Sequence, residues 1–312
     1  MSARKRKHVY GPVPSRRLGR SLGVDLVPYK VCPFDCTYCQ VGRTTVHTDR
    51  RDAYLDADEV LAEVREALAA GPECDYVTLS GSGEPTLHAD LARIVAAIKA
   101  MTDVPLAVLT NSALLSDPAV RQALLPADLI VPSLDAGDAE TFARVNRPCA
   151  GVTFDKVVDG LKALRREYAG RIRLEVLLVA GLNDSDEQVA ALRAAIDAIG
   201  PDAVELNTVT RPPADDDARA VAPDDLERIR RALGPKARIV AGYTGADAVA
   251  GDVTGDDVLA LVRRRPCTID DLAAGLQCHR WEAEKVVAAL HAAGKVTRED
   301  RAGRSYVLVR GA

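Results

Sequence analysis

The 312-residue chain has no apolar run approaching the ~18 residues that a membrane helix needs, so no membrane partner is expected. No apolar core follows the basic start Met1-Ser-Ala-Arg-Lys-Arg-Lys7, and a secretory signal is therefore not expected. Paired cysteines are missing too. Seven is an odd count, and without an export signal it argues against a disulfide scaffold and for metal or redox use. Composition shows no bias toward disorder, collagen or coiled coil: 47% of residues are hydrophobic and 28% charged, with 22 Gly and 17 Pro. A chain of this length buries roughly 75% of its unfolded surface and has room for one large domain and a small one. The expected location is the cytoplasm.

Charge is unevenly placed. Residues 1–50 hold ten Lys/Arg against three Asp/Glu, a balance of +7, while residues 51–250 hold 21 against 33, a balance of −12. A basic arm over residues 1–20 (Arg4, Lys5, Arg6, Lys7, then Arg16, Arg17 and Arg20) can attract phosphate, or its tip can be a solvated terminus. Arg16, Arg17 and Arg20 lie against an expected strand and read as site residues.

From residue 22 short β-rich runs alternate with amphipathic helices. Strands are expected at 22–27, 75–80, 105–110, 128–134, 172–179 and 203–209. Helices are expected from about residue 58, then at 89–99, 118–124, near 138–145 and 154–168, from Ser185, and at 223–233. Asp56 and Glu59, and Ser185 and Gln188, are capping pairs, and Val189, Leu192, Ile196 and Ile199 form one apolar stripe. The fifth strand is nearly all apolar, which implies cover on both faces. Six strand–helix units imply a parallel sheet, either doubly wound or an incomplete barrel, with the site at the carboxyl ends of the strands. Residues 234–255, rich in Gly, Ala and Asp, read as a strand remnant and a linker. Residues 251–312 read as a second domain with helices near 256–264, 268–275 (Thr268 capping) and 279–293, then a hairpin over 295–309 turning at 300–303. That order resembles a winged helix.

Chemistry concentrates in Cys32-Pro-Phe-Asp-Cys36-Thr-Tyr-Cys39, directly after the first strand. Three thiolates this close on a loop can hold three corners of an iron–sulfur cube, leaving one corner open for a substrate or cofactor. Zinc, with His47 or His8 as fourth ligand, is the other reading, but no second C-x2-C or H-x3-H arm exists. Cys74, Cys149, Cys267 and Cys278 are scattered and read as small buried hydrophobes.

The C-x3-C-x2-C run resembles that of the radical SAM superfamily. After the second strand, Ser80-Gly-Ser-Gly-Glu-Pro-Thr86 is similar to the family's Gly-Gly-Glu-Pro motif, with Ser82 between the glycines. The resemblance implies a partial (β/α)6 TIM-like barrel over 21–245, a [4Fe–4S] cluster on Cys32, Cys36 and Cys39, and S-adenosylmethionine as cofactor. Gly81, Gly83 and Glu84 would meet its methionyl group, with Glu84 alternatively a loop anchor, and Tyr38 would lie beside its adenine. Asn111, Ser133 and Asp135 at strand ends would contact ribose or methionine, or serve ordinary turns, and Val179 would pack on the adenine.

Tyr10-Gly-Pro-Val-Pro-Ser-Arg-Arg17, Asn146-Arg-Pro148 and Asn207-Thr-Val-Thr-Arg-Pro-Pro213 resemble the iron–sulfur oxidoreductases classed near wyosine-tRNA synthases, without the latter's extra N-terminal cysteines. The implied chemistry is one-electron cleavage of S-adenosylmethionine to a 5′-deoxyadenosyl radical that abstracts hydrogen, with the electron from a flavodoxin or ferredoxin. Arg16, Arg17, Arg20, Arg147 and Arg211 would meet a substrate phosphate or carboxylate, or form surface ion pairs. The substrate expected first is tRNA or another RNA. The alternatives are a protein or small metabolite, with the winged helix as docking module, and a non-catalytic DNA-binding sensor.

Overall fold

A computed structural model of the chain describes residues 7–240 and 253–310, except 16, 277, 279 and 302, and says nothing of the side chains of Pro14, Trp281 and Glu282. Arg4, Lys5, Arg6, Arg16 and most of the expected linker thus lie outside the described residues. Within the span read as a basic arm, β1 (Val9–Ser15) pairs antiparallel with β2 (Gly19–Val24). The backbone N–H groups of Lys7, His8 and Val9 all donate to the Glu63 carboxylate, which pins the start of β1. The two-residue strands β3 (Val31–Cys32) and β4 (Val46–His47) then frame the cysteine loop.

The alternation expected from the sequence follows: α1 (Ala57–Ala69), β5 (Tyr76–Leu79), α2 (Leu91–Met101), β6 (Leu106–Thr110), α3 (Pro118–Leu124), β7 (Leu129–Pro132), α4 (Ala139–Asn146), α5 (Phe154–Glu167), β8 (Arg171–Leu178), α6 (Asp186–Ile199), β9 (Ala203–Thr208), α7 (Pro223–Leu233) and β10 (Ala237–Ile239). The strands form one sheet in the order β1-β2-β5-β6-β7-β8-β9-β10, parallel throughout except at β1. β10 is a seventh parallel strand where the sequence suggested a remnant.

Local chemistry sets several boundaries. Asp56 accepts the Asp58 and Glu59 N–H groups at the start of α1, and Ser185 with Gln188 closes a full capping box on α6. Val189, Leu192, Ile196 and Ile199 are buried on one face of α6. Each such apolar side chain withdrawn from water contributes about 1.5–3 kcal/mol.

β8 departs from the expectation of cover on both faces. Ile172, Leu174, Val176 and Leu178 are buried, while the alternate positions Arg173 and Glu175 carry charge into ion pairs with Glu205 and Arg17 respectively. This charged network occupies the inner face. Ser21 of β2, Thr78 of β5, Leu109 of β6 and Glu175 of β8 all line one cavity, which neighbours on a flat doubly wound sheet could not do. The architecture is a partial barrel.

Beyond it, α8 (Gly255–Val262), α9 (Ile269–Leu276), α10 (Arg280–Ala292) and the antiparallel pair β11 (Val296–Arg301) and β12 (Arg304–Val309) form a smaller unit. Its own core joins Val258, Leu272, Val287, Val296 and Val307 with the fully buried Cys267 and Cys278. Cys74 and Cys149 are only partly buried, against the barrel core. The small unit packs on the barrel: Val13 of β1 joins its core, and the Tyr306 hydroxyl donates to the Thr210 carbonyl at 2.7 Å. Among the described residues, no helix is long and apolar enough to cross a membrane.

Candidate functional site

Cys32 ends β3, and Cys36 and Cys39 follow on the loop between β3 and β4. Each thiol faces a side-chain N–H donor. Asn111 Nδ2 lies 3.4 Å from Cys32 Sγ, Asn146 Nδ2 3.5 Å from Cys36 Sγ, and Lys30 Nζ 3.1 Å from Cys39 Sγ. Lys30 is almost fully buried and holds a left-handed backbone conformation at φ 55°. Burial pushes the Cys32 thiol up to about 12 and the Cys36 thiol well above its ordinary range, so without a metal both are neutral.

Three thiolates on a single zinc ion would sit about 3.8 Å apart, given Zn–S bonds of ~2.3 Å in a tetrahedron. Here the three Sγ atoms do not all lie within 4.8 Å of one another. The two histidines considered as fourth ligands are engaged elsewhere. His47 Nε2 is 2.9 Å from the Pro33 carbonyl, and His8 faces Glu59 at 3.7 Å. The three side-chain N–H donors suit sulfurs that carry charge, as those of an iron–sulfur cluster do.

The glycine loop lies against the same segment. The Lys30 N–H donates to the Ser82 carbonyl at 2.7 Å, and the Glu84 N–H to the Val31 carbonyl at 3.2 Å. A Cβ on Gly83 would stand 2.2 Å from the Val31 carbonyl oxygen, and one on Gly81, at φ 139°, 1.8 Å from Asp25 Oδ1. The glycines therefore permit close approach to the protein's own backbone and to Asp25, in addition to any approach by a cofactor. Glu84 is buried and its carboxylate is fully used: Oε1 accepts from Thr86 N, Thr86 Oγ1 and Thr110 Oγ1, and Oε2 from Asn111 N. Its geometry is that of a loop anchor tying the glycine loop to β6.

A cavity of about 360 Å³ opens beside the thiols. Tyr38, Gly81, Gly83, Asn111 and Ser133 line it, and so do Leu261, Arg264, Arg265, Asp271 and Ala274 of the C-terminal unit. Arg264 Nε donates to Asp25 Oδ2 at 2.9 Å and stacks over the Tyr10 ring at 4.0 Å. Asp25 Oδ1 holds the Ser82 N–H at 2.7 Å, so one carboxylate joins the glycine loop to the C-terminal unit.

The sequence profile of the radical SAM superfamily matches residues 26–195, the stretch that carries the three cysteines, the glycine loop and the donors Lys30, Asn111 and Asn146. The chain belongs to the radical SAM superfamily. Among its relatives is a Brachyspira hyodysenteriae protein named GTPase Obg, 36% identical over 95% of this chain; the chain spans 44% of that protein's length. This chain has no G-x-x-x-x-G-K-[ST] phosphate loop to match that name. A UPF0026 protein of Methanocaldococcus jannaschii is 30% identical over 82% of each chain. A solved radical SAM methyltransferase from Sphaerobacter thermophilus shares the fold at a TM-score of 0.53, with 20% identity over 70% of this chain and 65% of that one.

The cofactors of a radical SAM protein are a [4Fe–4S] cluster and S-adenosylmethionine, and the residues fit both. Cys32, Cys36 and Cys39 would supply three ligands, and the cavity beside them is lined by glycines, an aromatic ring and short polar side chains.

Other residues singled out from the sequence take different places in this radical SAM chain. Asp135 does not line the cavity. It is buried, accepts from the Tyr38 hydroxyl, Asn146 Nδ2 and Leu177 N, and is pushed up to about 6 by burial. It holds Tyr38 and Asn146 in position. Val179 is buried away from the cavity, its N–H bonded to Asn183 Oδ1 at 2.7 Å. Arg17 and Arg211 line the cavity, but Arg20 pairs with Glu73 at the amino end of β2, far along the strand from the mouth. Arg147 is held by two bonds to Asp215 and does not line the cavity.

Lys30, Asp25, Asn146 as a sulfur donor, and the C-terminal Arg264, Arg265 and Asp271 were not singled out. Lys30 sits two residues before Cys32, and that proximity was its only signal. The C-terminal residues gave none, because only packing brings them to the barrel.

Proposed function

We propose that the protein is a radical SAM enzyme that abstracts hydrogen from a substrate enclosed between the barrel mouth and the C-terminal unit. The observation that carries this reading is the placement of one N–H donor on each of the three cysteine sulfurs beside a cavity. When bound, the reduced cluster and S-adenosylmethionine supply a 5′-deoxyadenosyl radical; the protein's residues do the rest. Lys30, Asn111 and Asn146 offset thiolate charge. Asp135 fixes Tyr38 at the cavity wall, Glu84 holds the glycine loop, and the C-terminal unit keeps water from the site. An electron from a flavodoxin- or ferredoxin-like protein completes the cycle.

We read the C-terminal unit as a winged helix used for closure. Its helix and hairpin arginines are engaged with acids, Arg280 with Asp270, Arg298 with Glu284 and Arg301 with Asp216, which weighs against an RNA substrate held on that surface. The test is anaerobic reconstitution of the full chain. About four irons per chain, as one cluster requires, and 5′-deoxyadenosine on reduction with S-adenosylmethionine are expected. Both should vanish in Cys32→Ala/Cys36→Ala/Cys39→Ala. Stoichiometric zinc in place of iron, or a cluster retained by the triple variant, would overturn the reading.

A further inference from the structure

We propose that Arg211 of the barrel and Arg265 of the C-terminal unit together hold the carboxylate or phosphate of a small substrate, so that the anion site exists only when the two units are docked. The inference rests on the radical SAM reading above and names the class of substrate that would enter this cavity.

Both side chains line the cavity that holds the three cysteines. Arg211, on the loop after β9, is 10% exposed, and two of its three nitrogens are engaged. Nη1 donates to Gln40 Oε1 at 3.1 Å and Nη2 to Asp271 Oδ1 at 3.2 Å. Its Nε is buried and has no acceptor among the described residues. A buried N–H left unpaired is costly, so the surrounding residues do not fully satisfy this guanidinium. Gln40 follows Cys39 directly, so this guanidinium is tied to the cysteine loop itself.

Arg265 comes from the other side. Its guanidinium makes no ion pair or side-chain hydrogen bond among the described residues, it lines the same cavity as Arg211, and its charge adds to burial in holding Arg211 below its ordinary range. Two guanidiniums brought together against their mutual repulsion mark a place for negative charge. One carboxylate, Asp271, lies with them and is held low by Arg211, the Thr268 N–H and Arg265. It offsets one of the two charges and leaves the other. Arg264, next in sequence, is already spent on Asp25 and Tyr10.

The size of the space limits the ligand. About 360 Å³ is at the low end of small-molecule sites, so the cavity admits only a small part of any large substrate.

The test uses the full chain with its cluster reconstituted. Inorganic phosphate and acetate are titrated separately by calorimetry, with and without S-adenosylmethionine, which distinguishes a phosphate site from a carboxylate site. One saturable site for at least one of them is expected, weakened about tenfold or more by Arg265→Met, as loss of a charge-assisted bond implies. Arg265→Met breaks no ion pair or side-chain hydrogen bond among the described residues and should leave folding and iron content unchanged; Arg298→Met on the hairpin should leave anion binding unchanged. Binding that persists undiminished in Arg265→Met, or no binding of either anion to wild type, overturns the proposal. So does displacement of bound phosphate by bulk tRNA, which would move the site to nucleic-acid recognition. Missing iron or missing 5′-deoxyadenosine in the wild-type samples would instead count against the enzyme reading itself.

Discussion

Gly83 and Lys30 carry the most consequence at the scale of single residues. A Val at position 83 would drive its Cβ into the Val31 carbonyl, 2.2 Å away, and Val31 is bonded directly to the ligand Cys32. Gly83→Val should therefore lower iron content as well as S-adenosylmethionine affinity. Full cluster occupancy with only the cofactor lost would show that the loop, and not the strand, yields. Lys30 places a buried positive charge and an N–H on Cys39. Such a donor favours the more negative, reduced cluster. Lys30→Met should thus shift the reduction potential to more negative values at unchanged iron content, read by a redox titration followed by EPR. An unmoved potential would mean that the ammonium turns away once the cluster is bound.

Elements are held to one another by a few polar ties. β8 looked apolar enough to be covered on both faces, yet its strict alternation puts Arg173 and Glu175 on the inner face, where they meet Glu205 and Arg17. Strand periodicity alone does not say that a charged inner face will find partners; the barrel's curvature supplies them. The tie between α8 and the glycine loop is of the same kind. Arg264 and Asp25 have side chains only 14% and 8% exposed, and removing one partner of a buried pair costs about 3–5 kcal/mol. Arg264→Ala should weaken docking of the C-terminal unit by an amount of that order. The expected readouts are faster protease cleavage between residues 240 and 253 and faster bleaching of the reconstituted cluster in air. Unchanged rates for both would mean that the Tyr306 and Val13 contacts hold the unit without the latch.

For the whole molecule, the C-terminal unit lines one side of the cavity. The hairpin carries Arg298, Arg301 and Arg304, and Arg298 and Arg301 are paired with Glu284 and Asp216. Replacing Arg298 and Arg301 by Ala should leave the salt dependence of any RNA binding by the full chain unchanged, since charges already neutralised release few counterions. A slope reduced by about one for each arginine would restore the hairpin as a contact surface. The order of strands and helices, the capped helix starts and the three cysteine ligands were readable in the sequence, because periodicity, capping and ligand spacing are local. So was the glycine loop, although not its reason: Gly83 meets Val31 and Gly81 meets Asp25 across the fold. Asp135 was singled out as a strand end and Val179 by the resemblance of its stretch; neither lines the cavity, and packing makes Asp135 the anchor of Tyr38 and Asn146. Lys30, Asn111 and Asn146 come within reach of the sulfurs, and Arg211 within reach of Arg265, from positions up to 110 residues from their partners. Local pattern determines which elements form. The meeting of side chains so distant in sequence depends on how those elements pack, and that was decided by the tertiary structure alone.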